Sequence, residues 1–231
     1  MRVEITALVV ASQHAYEGRP ADGPRPAPEP PLRDEVRVRA GHGIVGDRYA
    51  GRPAHARAAV TLLAAESLDH LRTVLGDVVE ATATPRPARC NIVLRGAPVD
   101  ALAAPGRGGT GALFALDSGG GAVRFRAHRA AAPCRWMDTE IGDGACAALG
   151  GRGGVRCEPL DDGVLRLGPA ELTILEPAAA APQTALPPTA APQTAAPLTA
   201  APRRSATPGA APPDAGHGPS GGGPAPSAAA L

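Results

Sequence analysis

The chain of 231 residues has no lysine: all 23 of its Lys-plus-Arg positions are arginine. Aromatic residues are nearly as scarce, with one Trp, two Tyr and two Phe, so a core must rest on Val, Leu, Ile and Ala. Missing lysine beside abundant Ala, Gly and Pro reads as the mutational bias of a GC-rich genome. Arginine richness is therefore poor evidence for nucleic-acid binding. Residues 1–176 hold 21 arginines (23 less Arg203 and Arg204) and 21 acidic residues (22 less Asp214), which makes that segment neutral. A nucleic-acid module shows a basic excess and interleaved aromatics, and nucleic acid is not an expected partner. No run approaches the ~20 apolar residues of a membrane span. Glu4 and Thr6 interrupt the first apolar run, so neither a secretory signal nor a membrane partner is expected. The four cysteines, Cys90, Cys134, Cys146 and Cys157, show no CxxC spacing, which argues against structural zinc. The expectation is a soluble cytoplasmic protein with reduced thiols.

What is present divides the chain in two. From Pro177 onward there is almost nothing but Ala, Pro, Thr, Gly, Ser and Gln, and Thr184, Thr189, Thr194 and Thr199 each begin a Thr-Ala-x-Pro repeat. Such composition buries too little apolar surface to offset its ordering entropy. Residues 177–231 are expected to be a disordered tail, and residues 1–176 the folded domain. Within that domain, residues 2–10 alternate loosely and residues 36–39 cleanly between apolar and polar, as half-buried strands do. Residues 20–31 are too proline-rich for regular helix or central strand. Apolar β-capable runs cover 58–63, 113–116, 123–126, 155–160, 164–167 and 171–175, with a further short strand between Arg89 and Arg95 and a hairpin turn at 161–163. Leu68, Leu71, Val74 and Leu75 recur at helical spacing over 64–75, and Gly76 stops that helix. Residues 98–102 fit one helical turn, and 135–149 read as largely helical. Short strands, few helices and many glycine turns predict a mainly β fold, a closed or nearly closed barrel.

Three stretches carry chemistry. Residues 41–51 place four glycines in eleven residues. Such a loop lets backbone N–H groups approach an anion, with Arg48 adding a charge-assisted bond; equally, the glycines serve only a tight connection. Asp47 reads as a brace of its own loop. Arg89-Cys-Asn91 opens a buried strand that Arg95 closes. Asn91 is either a strand-entry turn residue or an amide that orients a ligand. Pro133-Cys134 follows a strand and lies between Arg129 and Arg135, a setting that favours a thiolate able to bind soft metals. Taken alone, Cys134 equally fits a buried packing residue. Cys146 and Cys157 read as small apolar fillers, and Cys90 is open between the two roles. His42, His55 and His128 read as surface or hydrogen-bonded loop residues, because spacing shows no carboxylate partner.

Taken together, Gly43-Ile-Val-Gly-Asp-Arg48, Arg57 with Val60-Thr-Leu-Leu63 and Glu66, Arg89-Cys-Asn-Ile-Val-Leu-Arg-Gly96, Pro133-Cys134, Arg152-Gly-Gly154 and Gly163-Val-Leu-Arg-Leu-Gly168 resemble the MOSC domain. This is the module found at the C-terminal end of molybdenum-cofactor sulfurases and in stand-alone bacterial proteins. The resemblance implies a MOSC-type β-barrel over 1–176 with a pocket for molybdenum cofactor, a pterin with a dithiolene, a metal and a phosphate. It implies Cys134 as the catalytic residue and metal or sulfur ligand. It maps cofactor binding onto Arg48, Arg89, Asn91 and Arg95; Arg129 and Arg135 are secondary candidates only as sequence neighbours of Cys134. Pyridoxal phosphate belongs to the wider family, but no site for it is seen. The implied activity is an oxidoreductase acting on N-hydroxylated or similar small molecules, with a redox partner protein. The alternatives are a sulfur-carrier or cofactor-transfer module bearing a persulfide on Cys134, and a non-catalytic interaction domain.

Overall fold

A computed structural model describes residues 1–181, apart from Pro30 and Glu80. Ten strands alternate with short helices: β1 (Arg2–Leu8), β2 (Glu35–Arg39), β3 (Gly43–Ile44), β4 (Val60–Ala64), α1 (Ala65–Leu75), α2 (Pro85–Ala88), β5 (Ile92–Arg95), β6 (Leu113–Asp117), β7 (Val123–Ala130), α3 (Trp136–Glu140), α4 (Ala145–Ala148), β8 (Val155–Pro159), β9 (Gly163–Arg166) and β10 (Gly168–Glu176). Seven strands close a barrel in the order β1-β10-β6-β7-β8-β4-β5, and β3-β2-β9 form a separate small sheet. The expected mainly β barrel is what the chain builds. The pair β4–β5 is parallel. Parallel neighbours need a crossover rather than a hairpin, and α1 lies within that connection.

The alternation of β1 puts Val3 and Ile5 inside, while β2 buries Val36 and Val38 and leaves Arg37 and Arg39 in solvent. The barrel interior is aliphatic apart from Cys157 and from Phe114 and Phe125, whose stacked rings lie 5.5 Å apart. A second core sits against the outside of β4 and β5. There Leu63 and Val93 point away from the barrel and meet Leu68, Leu71, Trp136, Met137 and Leu149. Strands covered on both faces read as continuous apolar runs, which is why Val60-Thr-Leu-Leu63 and Ile92-Val-Leu94 lack alternation.

Two expectations need refinement. Residues 135–149 form two short helices rather than one, because Gly142 (φ 150°) and Gly144 (φ 89°) break the segment between them. The chain also stays paired beyond Glu176, since Ala179 and Thr110 exchange two backbone hydrogen bonds of 2.8 Å. The disorder expected for the rest of the tail falls outside the described residues. Among the described residues, no helix is long and apolar enough to cross a membrane.

Candidate functional site

Four segments far apart in sequence meet at a cavity of about 250 Å³ on the helical side of the barrel. Arg48 and Tyr49 come from the glycine loop, Arg89 and Cys90 from the approach to β5, and Pro133 and Cys134 from the link between β7 and α3. His14 and Tyr16 arrive from the long β1–β2 connection. Cys134 is exposed, so its thiol is available to solvent and ligand.

The floor beneath is fixed by one buried polar node. Asp47, 6% exposed, accepts hydrogen bonds from Ala11 N–H (3.1 Å), Tyr49 N–H (3.1 Å) and Asn91 Nδ2 (2.9 Å). Asn91, 2% exposed, also donates to the Val9 carbonyl (3.2 Å) and accepts from Thr61 N–H (2.9 Å). Both N–H donors of that amide and its oxygen are thus engaged by protein, as buried polar groups require. Asn91 does not line the cavity; it ties the glycine loop to β1, β4 and β5.

Above the node sit the two arginines. Arg48 Nη1 lies 3.6 Å from Asp47 Oδ2, and Arg48 Nη2 donates to the Arg89 carbonyl at 3.3 Å. Arg89 Nη2 donates to the Gln13 carbonyl at 2.5 Å. The Arg89 guanidinium also stands over the Tyr16 ring (5.0 Å), and that ring is stacked 5.2 Å from Trp136. Arg48 stands over Tyr49 at 4.6 Å. These are cation–π contacts, which hold a guanidinium without neutralising it. Arg48 Nη1 and Arg89 Nε are buried and have no hydrogen-bond acceptor among the described residues. Burial, and then the Arg48 charge, lower the Arg89 pKa from its usual value. Burial and the same Arg48 charge lower that of His14. Arg89 is also the one described non-glycine residue with a left-handed backbone, at φ 51°. Such strain clusters at ligand sites. The arrangement is a cationic, aromatic-walled cavity with a solvent-accessible thiol at its rim.

Arg95 is not brought to this cavity. It lies at the far end of β5, exposed, in an ion pair with Asp69 (2.8 Å) and within 4.0 Å of Glu66. Cys90 lines the cavity, but burial pushes its thiol up to about 12 and its Sγ faces the Ala88 carbonyl at 3.5 Å. Burial likewise raises Cys157, a barrel-core residue as expected of a filler. His14, Tyr16, Tyr49 and Trp136 are cavity residues that sequence reasoning missed. The lone Trp two residues after Cys134 was the one signal available for them.

The Pro133-Cys134 link is held by close backbone contact. Ala131 N–H donates to the Gly154 carbonyl at 2.8 Å. A side chain at Gly153 would run into the Ala131 carbonyl and Pro133 Cδ, and one at Gly154 into the Leu62 carbonyl. The glycines of Arg152-Gly-Gly154 therefore let β8 approach β4 and the cysteine loop together.

No family model matches the sequence, and no curated protein matches it. Solved structures share its fold. The YuaD protein from Bacillus subtilis superposes with a TM-score of 0.54 at 15% identity, over 74% of this chain and 96% of its own. A hypothetical protein superposes with a TM-score of 0.51 at 13% identity, over 74% of this chain and 67% of its own. YiiM from Geobacillus stearothermophilus aligns at 15% identity, with a TM-score of 0.49, over 75% of each chain. At such identities the first two likenesses establish a shared barrel architecture for this chain.

Proposed function

We propose that this chain is a MOSC-type domain that holds molybdenum cofactor in the cavity beside Cys134 and works as an oxidoreductase on N-hydroxylated or similar small molecules. The observation that carries the reading is two guanidinium nitrogens buried without a hydrogen bond in the cavity that Cys134 lines: Arg89 Nε, and Arg48 Nη1, whose one ion-pair neighbour among the described residues is Asp47 at 3.6 Å. Buried polar groups without partners are rare in folded proteins and call for an explanation. An anionic group supplies the missing acceptors, and paired guanidiniums suit a phosphate.

The donor set fits a metal that brings its own ligands. Among the described residues, no three His, Cys, Asp or Glu side chains gather to hold an ion. One exposed thiol can add a single soft ligand to a metal already carried by sulfur donors. When bound, the cofactor would supply the redox chemistry at its metal. The chain's residues have separate tasks. Arg48 and Arg89 hold the anion, Tyr16 and Trp136 give the cavity a flat wall, and Cys134 offers the thiolate. Asp47 and Asn91 act as positioning residues, because they fix the loop that carries Arg48.

The exposure of Cys134 supports a second reading, sulfur transfer, in which its thiolate attacks the sulfane sulfur of a donor persulfide and the donor's thiolate leaves. Protein purified from a host that makes the cofactor separates the two. The first reading expects near-stoichiometric molybdenum and pterin, both lost in Cys134→Ala and reduced in Arg48→Ala and Arg89→Ala. Cofactor-free protein that takes up cyanide-labile sulfur only when Cys134 is present selects the second. Neither metal, pterin nor labile sulfur depending on Cys134 overturns both.

A further inference from the structure

A second, larger cleft of about 600 Å³ shares no lining residue with the Cys134 cavity. Its walls are the 3-10 turn Pro53–Ala58, the glycine-rich loop after Ala104, and the end of β7. Much of the lining is small: Ala54, Ala58, Gly106, Gly109 and Gly111 leave the space that larger side chains would fill. The polar groups are Arg57, Arg126, His128 and Arg129, with Thr110 at the edge.

The charges there are not balanced. Arg126 pairs with Glu176 at 2.8 Å, and His128 Nε2 lies 3.2 Å from Glu158 Oε2. The described lining itself contains no carboxylate. Arg57 and Arg129 are left with no carboxylate within ion-pair distance among the described residues. Arg57 is nevertheless not loose. Its Nε donates to His128 Nδ1 at 3.3 Å, so Nδ1 is the acceptor nitrogen and Nε2 carries the proton toward Glu158. The relay Glu158–His128–Arg57 fixes one edge of the guanidinium, and its two terminal nitrogens have no hydrogen-bond partner among the described residues. A guanidinium anchored through Nε presents a fork that matches two oxygens of a carboxylate or phosphate.

We propose that this cleft is a binding site for a small organic oxyanion, a carboxylate or a phosphate monoester, held by the terminal nitrogens of Arg57 and by Arg129, with His128 as a positioning residue. The small lining residues accommodate the ligand's body, and the site stands independently of the cofactor reading.

Calorimetric titration of the full chain with phenyl phosphate and with benzoate tests this, with benzyl alcohol as the uncharged control. Saturable binding of either anion, and none of the alcohol, is expected. Arg57→Ala and Arg129→Ala should each weaken it about tenfold, the scale of one lost charge-assisted bond. His128→Leu removes the acceptor for Arg57 Nε and should weaken it several-fold. His128→Asn, which returns an acceptor near the position of Nδ1, should recover most of that loss. Arg37→Ala removes an exposed arginine outside the cleft and should change nothing. Thermal melts confirm that each variant is folded. No saturable binding by the wild type overturns the proposal. So does equal loss in Arg37→Ala and Arg57→Ala, or no loss in both Arg57→Ala and Arg129→Ala.

Discussion

Replacing Asp47 by alanine separates a structural node from a ligand-binding residue. The substitution strands two donors in the interior: Ala11 N–H, now 3.1 Å from the carboxylate, and Asn91 Nδ2, now 2.9 Å from it. An unsatisfied buried donor costs about 1–3 kcal/mol, so the two together predict a loss of roughly 2–6 kcal/mol. Tyr49 N–H is only partly buried and recovers most of its loss from water. Arg48 also loses its one carboxylate neighbour at 3.6 Å. Against the 5–15 kcal/mol that typically separates folded from unfolded domains, the expected loss is a large share. Urea unfolding measures it, as a fall in midpoint at unchanged slope. Asn91→Leu should be similarly damaging, because it strands Thr61 N–H and the Val9 carbonyl. Since Asp47 and Asn91 share a bond, the double variant should lose less than the sum, with a coupling of about 0.5–3 kcal/mol. A loss below about 1 kcal/mol in Asp47→Ala would refute the node, since that is what a surface substitution costs.

Thiol reactivity should rank the cysteines by burial. Iodoacetamide at mildly alkaline pH is expected to label exposed Cys134 first and half-buried Cys146 more slowly, the latter held up by burial and by the Asp138 carboxylate. Cys90 and Cys157, both buried with raised pKa values, should react only in denaturant; intact mass shows the count, and early labelling of Cys90 contradicts the placement. Stability should rise with pH in the range just below the ordinary histidine value of 6.5. Burial holds His128 below its ordinary 6.5 despite the Glu158 hydrogen bond, and burial with the Arg48 charge does the same for His14. The unfolded chain then binds more protons in that range, so their contribution is complete above about 6.5 and is lost as pH falls through the lower folded values. Urea midpoints between pH 5 and 7.5 should show that slope, flattened in His14→Gln and His128→Asn; a slope of opposite sign refutes the assignment.

The barrel was legible because period-2 patterns and apolar runs depend on neighbours in sequence. Val36-Arg-Val-Arg39 and Val123-Arg-Phe-Arg126 show their faces directly. The site was legible only in part. Arg48, Arg89 and Cys134 meet, but Arg95 does not, although it belongs to the same motif as Arg89. Between them runs β5, and four strand residues span roughly 13 Å; a motif that brackets a strand points its ends to different places. Asn91 was recognisable as special, yet only its partners Val9, Asp47 and Thr61 show that both of its amide N–H groups are spent inside the protein. Tyr16 and Trp136 stack through a contact that no local pattern encodes. The His128–Glu158 pair escaped for the same reason: the two residues lie on neighbouring strands β7 and β8, and strand register was not available from spacing.

The energetics of the Arg48–Arg89 pair say what the rest of the fold is for. Two guanidiniums of like charge share a partly buried space with a single carboxylate between them. Two of their nitrogens make no hydrogen bond among the described residues. One of the residues sits at a left-handed φ of 51°, which costs about 1–2 kcal/mol for a side chain of this kind. Each of these terms opposes folding, and a leucine or glutamine at either position would remove some of them. What holds the pair in place is elsewhere: the Asp47–Asn91 node below, the Tyr16–Trp136 stack beside it, and the glycine contact of β8 against the cysteine loop. Local strain sustained by well-satisfied surroundings is the pattern expected of a binding site. The arginines are held by the fold rather than holding it, and an anion placed between them relieves the repulsion and the missing hydrogen bonds together.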